Sequence, residues 1–452
     1  MIARLRRYLS GSGLGPVLVK TISGSAGLRI GGMGFGFLVG VQLARGLGAE
    51  GYGIYGLAMS IISLLTVPTE FGLPQLLTRE VAAAQVKQEW GRLKGILHWS
   101  SRVSLLIASI VAVGVVAWLL GSGRGLTSPL GLTLLAGVVM IPITSQLSLF
   151  SGALRGLQQI VPGQLADVLL RPMLHSLLLF VASISLASFS PALAMGLGAA
   201  SAMMALVFVA SGLRKALPAE ARSATRIIDS QHWRSSALPM AMTEGMRLLQ
   251  GNLLILLLGW MVTLAEVGHF RIASSVALLI GMPISLFNIV CMPMIARLHS
   301  SGDREKLKKL LGIAAVGMTL GTLALFLPFF IAGETLLGHI FGAEFSASND
   351  TLLILGLSML INAGFGIPAA VLNMTGHQRT VTRASLLSLC IMAIASIPLI
   401  LHFGILGAAA ANMISVLTWN MHMWLSTKKH LGFDTSVRSL VAFFRTRKNL
   451  NP

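Results

Sequence analysis

From Val103 to Gly121 the chain reads VSLLIASIVAVGVVAWLLG, without one charged residue. Runs of this kind recur from end to end, and they constrain the fold more than any other feature. A bilayer core is crossed by a helix of about 20 mainly apolar residues, because every backbone amide must find its partner within its own segment. Only 11% of the 452 residues are charged and 54% are hydrophobic, with a mean hydropathy of +0.80. A soluble chain carries about 25% charged residues. An integral membrane protein with little chain left for soluble domains follows.

Apolarity places twelve spans at 17–43, 52–74, 97–121, 129–152, 160–187, 191–212, 236–261, 265–292, 310–332, 351–374, 382–402 and 404–426. The loops between them alternate in charge. One side collects Arg4, Arg6, Arg7 and Lys20, then Arg79, Lys87, Arg92 and Lys94, then Arg155. It continues with Arg214, Lys215, Arg222, Arg226 and Arg234, then Arg297 through Lys309, then Arg379 and Arg383, and ends on a basic tail. The other side holds Arg124, with Arg45 near a helix end. The excess of basic residues sets orientation, so both termini are expected in the cytoplasm. The same asymmetry accounts for most of the +19 net charge and removes nucleic acid as its explanation. The amino terminus, interrupted at Gly11 to Pro16, does not read as a cleaved signal peptide.

The longest polar stretch between spans runs from Leu213 to Ser235. The expected division is a lobe at 1–212, a linker at 213–235, a lobe at 236–426 and a basic tail at 427–452. Traces of a parallel repeat join the lobes. Gly27-Leu28-Arg29 matches Gly245-Met246-Arg247, Ala49-Glu50 matches Ala265-Glu266, Pro74 before Arg79 matches Pro293 before Arg297, and Leu197-Gly198-Ala199-Ala200 matches Leu406-Gly407-Ala408-Ala409. The fold class is therefore all-α integral membrane, with twelve transmembrane helices in two pseudo-symmetric six-helix lobes around a central cavity.

Several motif readings fail. Gly34-Phe35-Gly36 lacks the third glycine at dinucleotide-loop spacing, and the match at Gly46, Gly48 and Gly51 joins two membrane helices with no strand before it. Gly32, Gly36 and Gly40 instead give a small residue every four positions, which lets another helix approach. Cys291 and Cys390 lie in apolar runs without metal or disulfide spacing, and the histidines form no HxxxH or HExxH. No metal or cofactor is expected.

The charges inside the spans carry the functional reading. Arg29 sits about twelve residues into a helix rising about 1.5 Å per residue, near mid-depth. An arginine there costs at least ~2.5 kcal/mol on insertion scales and faces a cavity or a partner. Arg247 lies at the equivalent place in the second half. It has Glu244 at i−3, which either neutralises it or serves as a proton or sodium site beside an anion site. Asp167 and Arg171, at i and i+4, form a structural pair or a transport site. Arg271, close to Glu266 and His269, reads either as lining the cavity or as interfacial.

Val41-Gln42-Leu43-Ala44-Arg45-Gly46-Leu47-Gly48-Ala49-Glu50-Gly51-Tyr52-Gly53, Phe71-Gly72-Leu73-Pro74 and Leu77-Thr78-Arg79-Glu80 resemble polysaccharide biosynthesis proteins of the Wzx type. These are oligosaccharide flippases of the multidrug/oligosaccharidyl-lipid/polysaccharide exporter superfamily. Leu154-Arg155-Gly156-Leu157-Gln158-Gln159 extends the likeness. The resemblance implies a flippase in the bacterial inner membrane. Its partner would be an undecaprenyl-diphosphate-linked oligosaccharide, together with the lipid bilayer and other polysaccharide-assembly membrane proteins. Similar lipid II flippases keep cations on helices one and eight, which match Arg29 by location and point to Arg271. The rival readings are a cation-coupled multidrug antiporter of the same superfamily, for which helix one lacks an acid, and a membrane glycosyltransferase, for which the outward loops are too short.

Overall fold

The computed structural model describes residues 14–122, 127–186 and 188–439, with side chains from Gly24 onward. Arg4, Arg6, Arg7, Arg124, Arg445, Arg447 and Lys448 lie outside the described residues, as do the Lys20 side chain and the tail beyond Ser439.

Among the described residues every regular element is helical, and twelve apolar rods can be traced. They are residues 14–47 and 49–70, Trp90–Gly121, Pro129–Gly156, Ile160–Ser185, Pro191–Ala216, Ser230–Met261, Leu264–Ile280 continued by Met282–Ser300, Arg304–Phe341, Asn349–Gly364 bent onto Pro368–Met374, and residues 378–403 and 405–431. By length and apolarity alone eight described helices could cross a membrane, or nine with the bent pair counted. Two of the eight, Gly24–Lys87 and Gln378–Leu431, each contain two rods. Gly48 (φ 68) and Gly404 (φ 55) take left-handed conformations that a residue with a Cβ rarely adopts, and the helix breaks there. Ser230–Met261 falls short on apolarity because Glu244, Arg247, Gln250 and Asn252 dilute it.

The chain divides into two units, Met1–Asn252 and Leu253–Pro452. In the first, span starts are written in the sequence. Ser128 and Ser190 cap the helices that begin at Pro129 and Pro191, accepting from Gly131 N (3.0 Å) and Leu193 N (3.2 Å). Proline at the first helical position costs nothing, because that amide has no helical partner. After residue 70 the chain turns through Phe71 (φ 42) and Gly72 (φ 68) into the short amphipathic helix Leu73–Lys87. A Cβ on Gly72 would lie 2.6 Å from Ala237 O, so only glycine lets Ser230–Met261 approach this turn.

The polar stretch before Ser230 is laid along the start of Trp90–Gly121. Ile227 N donates to Gly91 O (3.0 Å), and Lys94 Nζ donates to Arg222 O (2.5 Å) and Ala224 O (3.0 Å). A Cβ on Gly95 would stand 1.9 Å from Ile227 O. Trp233, fully buried, packs on Trp99 with ring centroids 5.4 Å apart.

In the second unit, Thr263 and Glu266 form a reciprocal capping box at the start of Leu264–Ile280. This gives Glu266 a structural task at the helix end. Asp303 caps Arg304–Phe341, accepting from Lys306 N (3.1 Å). The Lys306 ammonium, donating to the other carboxylate oxygen at 2.6 Å, holds the Asp303 carboxyl below the usual carboxylate range. After residue 431 the chain folds back on the same unit. Thr435 Oγ1 donates to Phe365 O (2.9 Å), and Trp424 Nε1 donates to Asp434 Oδ1 (2.8 Å).

Candidate functional site

A cavity of about 380 Å³ opens within the first unit. Four rods build most of it, each through one face, and the turn into Leu73–Lys87 adds Gly72, Pro74 and Gln75. Residues 49–70 give Met59, Ser63, Thr66 and Glu70, and Pro129–Gly156 gives Met140, Thr144, Ser148, Ser151 and Arg155. Ile160–Ser185 gives Gly163, Gln164, Asp167 and Arg171, and Ser230–Met261 gives Glu244, Arg247 and Leu248. The steps of three and four residues are those that keep side chains on one helical face. Glycine sets the spacing: a Cβ on Gly163 would come within 2.9 Å of Ser151 O and 3.0 Å of Arg155 Cγ.

The third of these rods is underwound at Ala166–Leu170, one turn of π-helix, of a kind that marks functional sites more often than ordinary helix does. Helix one packs against this turn, since a Cβ on Gly32 would stand 2.0 Å from Val168 O. Of the three small residues expected on that face, Gly32 is the one in tight backbone contact. Gly36 has open space, and Gly40 meets only Tyr52 Oη, at 3.6 Å.

The lining charges are three carboxylates, Glu70, Asp167 and Glu244, and three guanidiniums, Arg155, Arg171 and Arg247. Arg171 Nη1 lies 3.5 Å from Asp167 Oδ1. Arg247 Nε donates to both Glu244 oxygens, at 3.0 and 3.1 Å, and its Nη2 donates to Oε1. Of the two readings of this i, i+3 pair, the neutralising contact is therefore made, while the Arg247 side chain stays 67% exposed. Ser148 lies against the Glu70 carboxylate. Asp167 and Arg171 also border a second hollow of about 240 Å³, with Gly36, Val39, Pro172 and His175.

The structure thus brings Asp167, Arg171, Glu244 and Arg247 together on one cavity. Arg29, exposed on helix one, is not part of its wall. Arg271 is half-buried on Leu264–Ile280 in the second unit, where its carbonyl accepts from Ser275 (2.9 Å). Glu70, Arg155, Gln164 and Ser151 were not anticipated as wall residues. Their signal was present in the sequence as a polar stripe at helical spacing inside apolar spans. Among the described residues no group of histidine, cysteine or carboxylate is placed to hold a metal ion.

Such a bundle, with charged side chains recessed into a cavity among apolar helices, has the fold of multi-pass membrane transporters. The structure aligns with that of the lipid II flippase MurJ in an inward closed conformation at a TM-score of 0.71 and 14% identity, covering 95% of this chain and 93% of that one. It aligns with an inward-facing multidrug resistance MATE family transporter of the MOP superfamily at 0.68 and 14%, covering 90% and 98%. The chain belongs to the polysaccharide biosynthesis protein family, whose sequence profile matches residues 18–299. A probable low-salt glycan biosynthesis flippase of Haloferax volcanii is 22% identical over 161 residues, which are 36% of this chain and 34% of that protein. The chain spans about a third or less of the length of the curated relatives it matches.

Proposed function

We propose that this protein is a flippase that carries a polyprenyl-diphosphate-linked oligosaccharide across the bacterial inner membrane by alternating access, with both termini in the cytoplasm. The observation that carries the reading is the cavity of about 380 Å³, walled by charged and hydroxyl side chains inside an apolar bundle, in a chain of this family. A glycan needs a wet, polar route, while its lipid tail can stay in the bilayer. A diphosphate suits guanidinium groups, which stay charged and bind two oxygens at once. Arg29, Arg247 and Arg271 are the cations assigned to that head group. The pairs Glu244–Arg247 and Asp167–Arg171 either couple transport to a cation or hold the helices in register.

Reconstitution into liposomes with a lipid-diphosphate oligosaccharide tests this. The sugar should become accessible from the opposite leaflet, and Arg29→Ala should abolish that movement while the protein still elutes as a single folded species. Unchanged movement in the variant would remove Arg29 from the mechanism. A second reading, a cation-coupled antiporter, is favoured by the three cavity carboxylates. Gradient-driven efflux of a cationic dye without sugar movement would establish it in place of the first.

A further inference from the structure

Most hydroxyls on the cavity wall spend their protons on their own helix. Thr66 Oγ1 donates to Ser63 O (2.6 Å) and Thr144 Oγ1 donates to Met140 O (2.8 Å). Ser151 does not. Its residue is 4% exposed, and its Oγ is a buried atom without a partner. Arg155 Nε and Gln164 Oε1, on the same wall, are likewise buried and unpartnered. Buried polar atoms are almost always paired. Three on one wall mark a place whose partner arrives from outside. They are held together by design of the backbone: Ser151 and Arg155 are one turn apart, and Gly163 lets the helix of Gln164 close on both.

The chemistry of the three says what that partner is. They offer a cationic donor, an acceptor, and a hydroxyl that is both, which is the mixture that adjacent sugar hydroxyls satisfy. A diphosphate fits badly here, because the Asp167 and Glu70 carboxylates line the same cavity and repel an added anion. An acidic sugar would meet the same two carboxylates. The cavity volume, about 380 Å³, lies within the range of about 300–1,000 Å³ usual for ligand pockets.

We propose that Ser151, Arg155 and Gln164 form a subsite that binds an uncharged sugar of the lipid-linked glycan through its ring hydroxyls, an assignment that rests on the flippase reading above. The subsite selects for neutral sugar and leaves the diphosphate to other cations.

The test is equilibrium binding to the full-length protein in lipid nanodiscs, with three probes: a short polyprenyl diphosphate, the same lipid bearing one hexose, and the same lipid bearing one hexuronic acid. The hexose probe should bind tighter than the other two. Ser151→Ala and Gln164→Leu should each weaken it about three- to tenfold, as loss of one hydrogen bond does, and leave the bare diphosphate unchanged. Arg155→Lys, which keeps the charge and moves the donor, should also erase the hexose preference. An equal loss for hexose and bare probes, a hexuronate as tight as the hexose, or a wild type without sugar preference would overturn the subsite while leaving the flippase reading standing. Binding of none of the three would take down the flippase reading, and the subsite with it.

Discussion

Glu80 shows how much one side chain can organise at a helix end. Its side chain is 8% exposed, and it receives Arg79 at 2.9 Å, Arg92 at 3.1 Å and His232 at 3.8 Å. Three helices, Leu73–Lys87, Trp90–Gly121 and Ser230–Met261, therefore meet on one carboxylate. Removing its charge leaves Arg92, only 31% exposed, without its nearest acid. Breaking such a pair costs more than an exposed pair contributes, because the surviving ion remains desolvated. We expect Glu80→Gln to destabilise the protein by about 1–3 kcal/mol, discounted from the fully buried case because Arg79 is half-exposed. Thermal unfolding in detergent measures it, and an unchanged midpoint would mean that the network contributes nothing. At this scale the sequence reveals the residue types but not their company. Arg155 reads as a loop charge and Glu70 as a helix-end residue until the structure turns both onto the cavity wall. The spacing of Ser148, Ser151 and Arg155 held the clue, but a stripe of polar residues becomes a site only when three other helices supply the opposite walls.

Among elements, apolarity fixed the rods and local backbone chemistry fixed their ends. An apolarity scan ends the first span at 43 and starts the second at 52, whereas the structure closes that gap to Gly48 alone, because one left-handed residue suffices to break the helix. The polar stretch from Leu213 to Ser235 reads as a free connection. Its two ends are instead the ends of Pro191–Ala216 and Ser230–Met261, Ala219–Ser223 adds a short helix between them, and the residues before Ser230 form a strap laid against the helix that starts at Trp90, since Gly91 and Gly95 leave room for its backbone. Two glycines spaced by four in a polar helix start give no hint of what covers them. The contact makes a sharp expectation. A Cβ at position 95 would sit 1.9 Å from Ile227 O, a backbone atom that cannot swing aside. In Gly95→Val the strap must lift. Arg222 and Arg226, both on the strap, should then be cut by trypsin at least about tenfold faster than in the wild type, an increase that corresponds to about 1.4 kcal/mol of lost docking. Equal cleavage rates would show that the strap is already open in solution.

For the molecule as a whole, charge asymmetry is the property that composition alone makes testable. The +19 net charge is concentrated on alternate loops, and the structure keeps those loops at alternate rod ends within each unit: Ser223 and Ser301 belong to connections rich in arginine and lysine, Ser122 to one that is not. Basic residues near span ends stay on the cytoplasmic side during insertion, whereas acidic ones contribute little. An even number of rods returns the chain to the side on which it began, so the strap and the loop before Arg304 should share a compartment. In a background with Cys291→Ala and Cys390→Ala, the exposed positions can be probed one at a time. Ser223→Cys and Ser301→Cys should react with a membrane-impermeant maleimide in inside-out vesicles and stay protected in intact cells, and Ser122→Cys should do the reverse. Ser223→Cys and Ser301→Cys labelled from opposite sides would mean that one of the two rods between them, Ser230–Met261 or residues 264–300, does not cross the bilayer. All three reversed together would keep the rods and overturn the orientation, and with it the direction in which a flippase of this build moves its glycan.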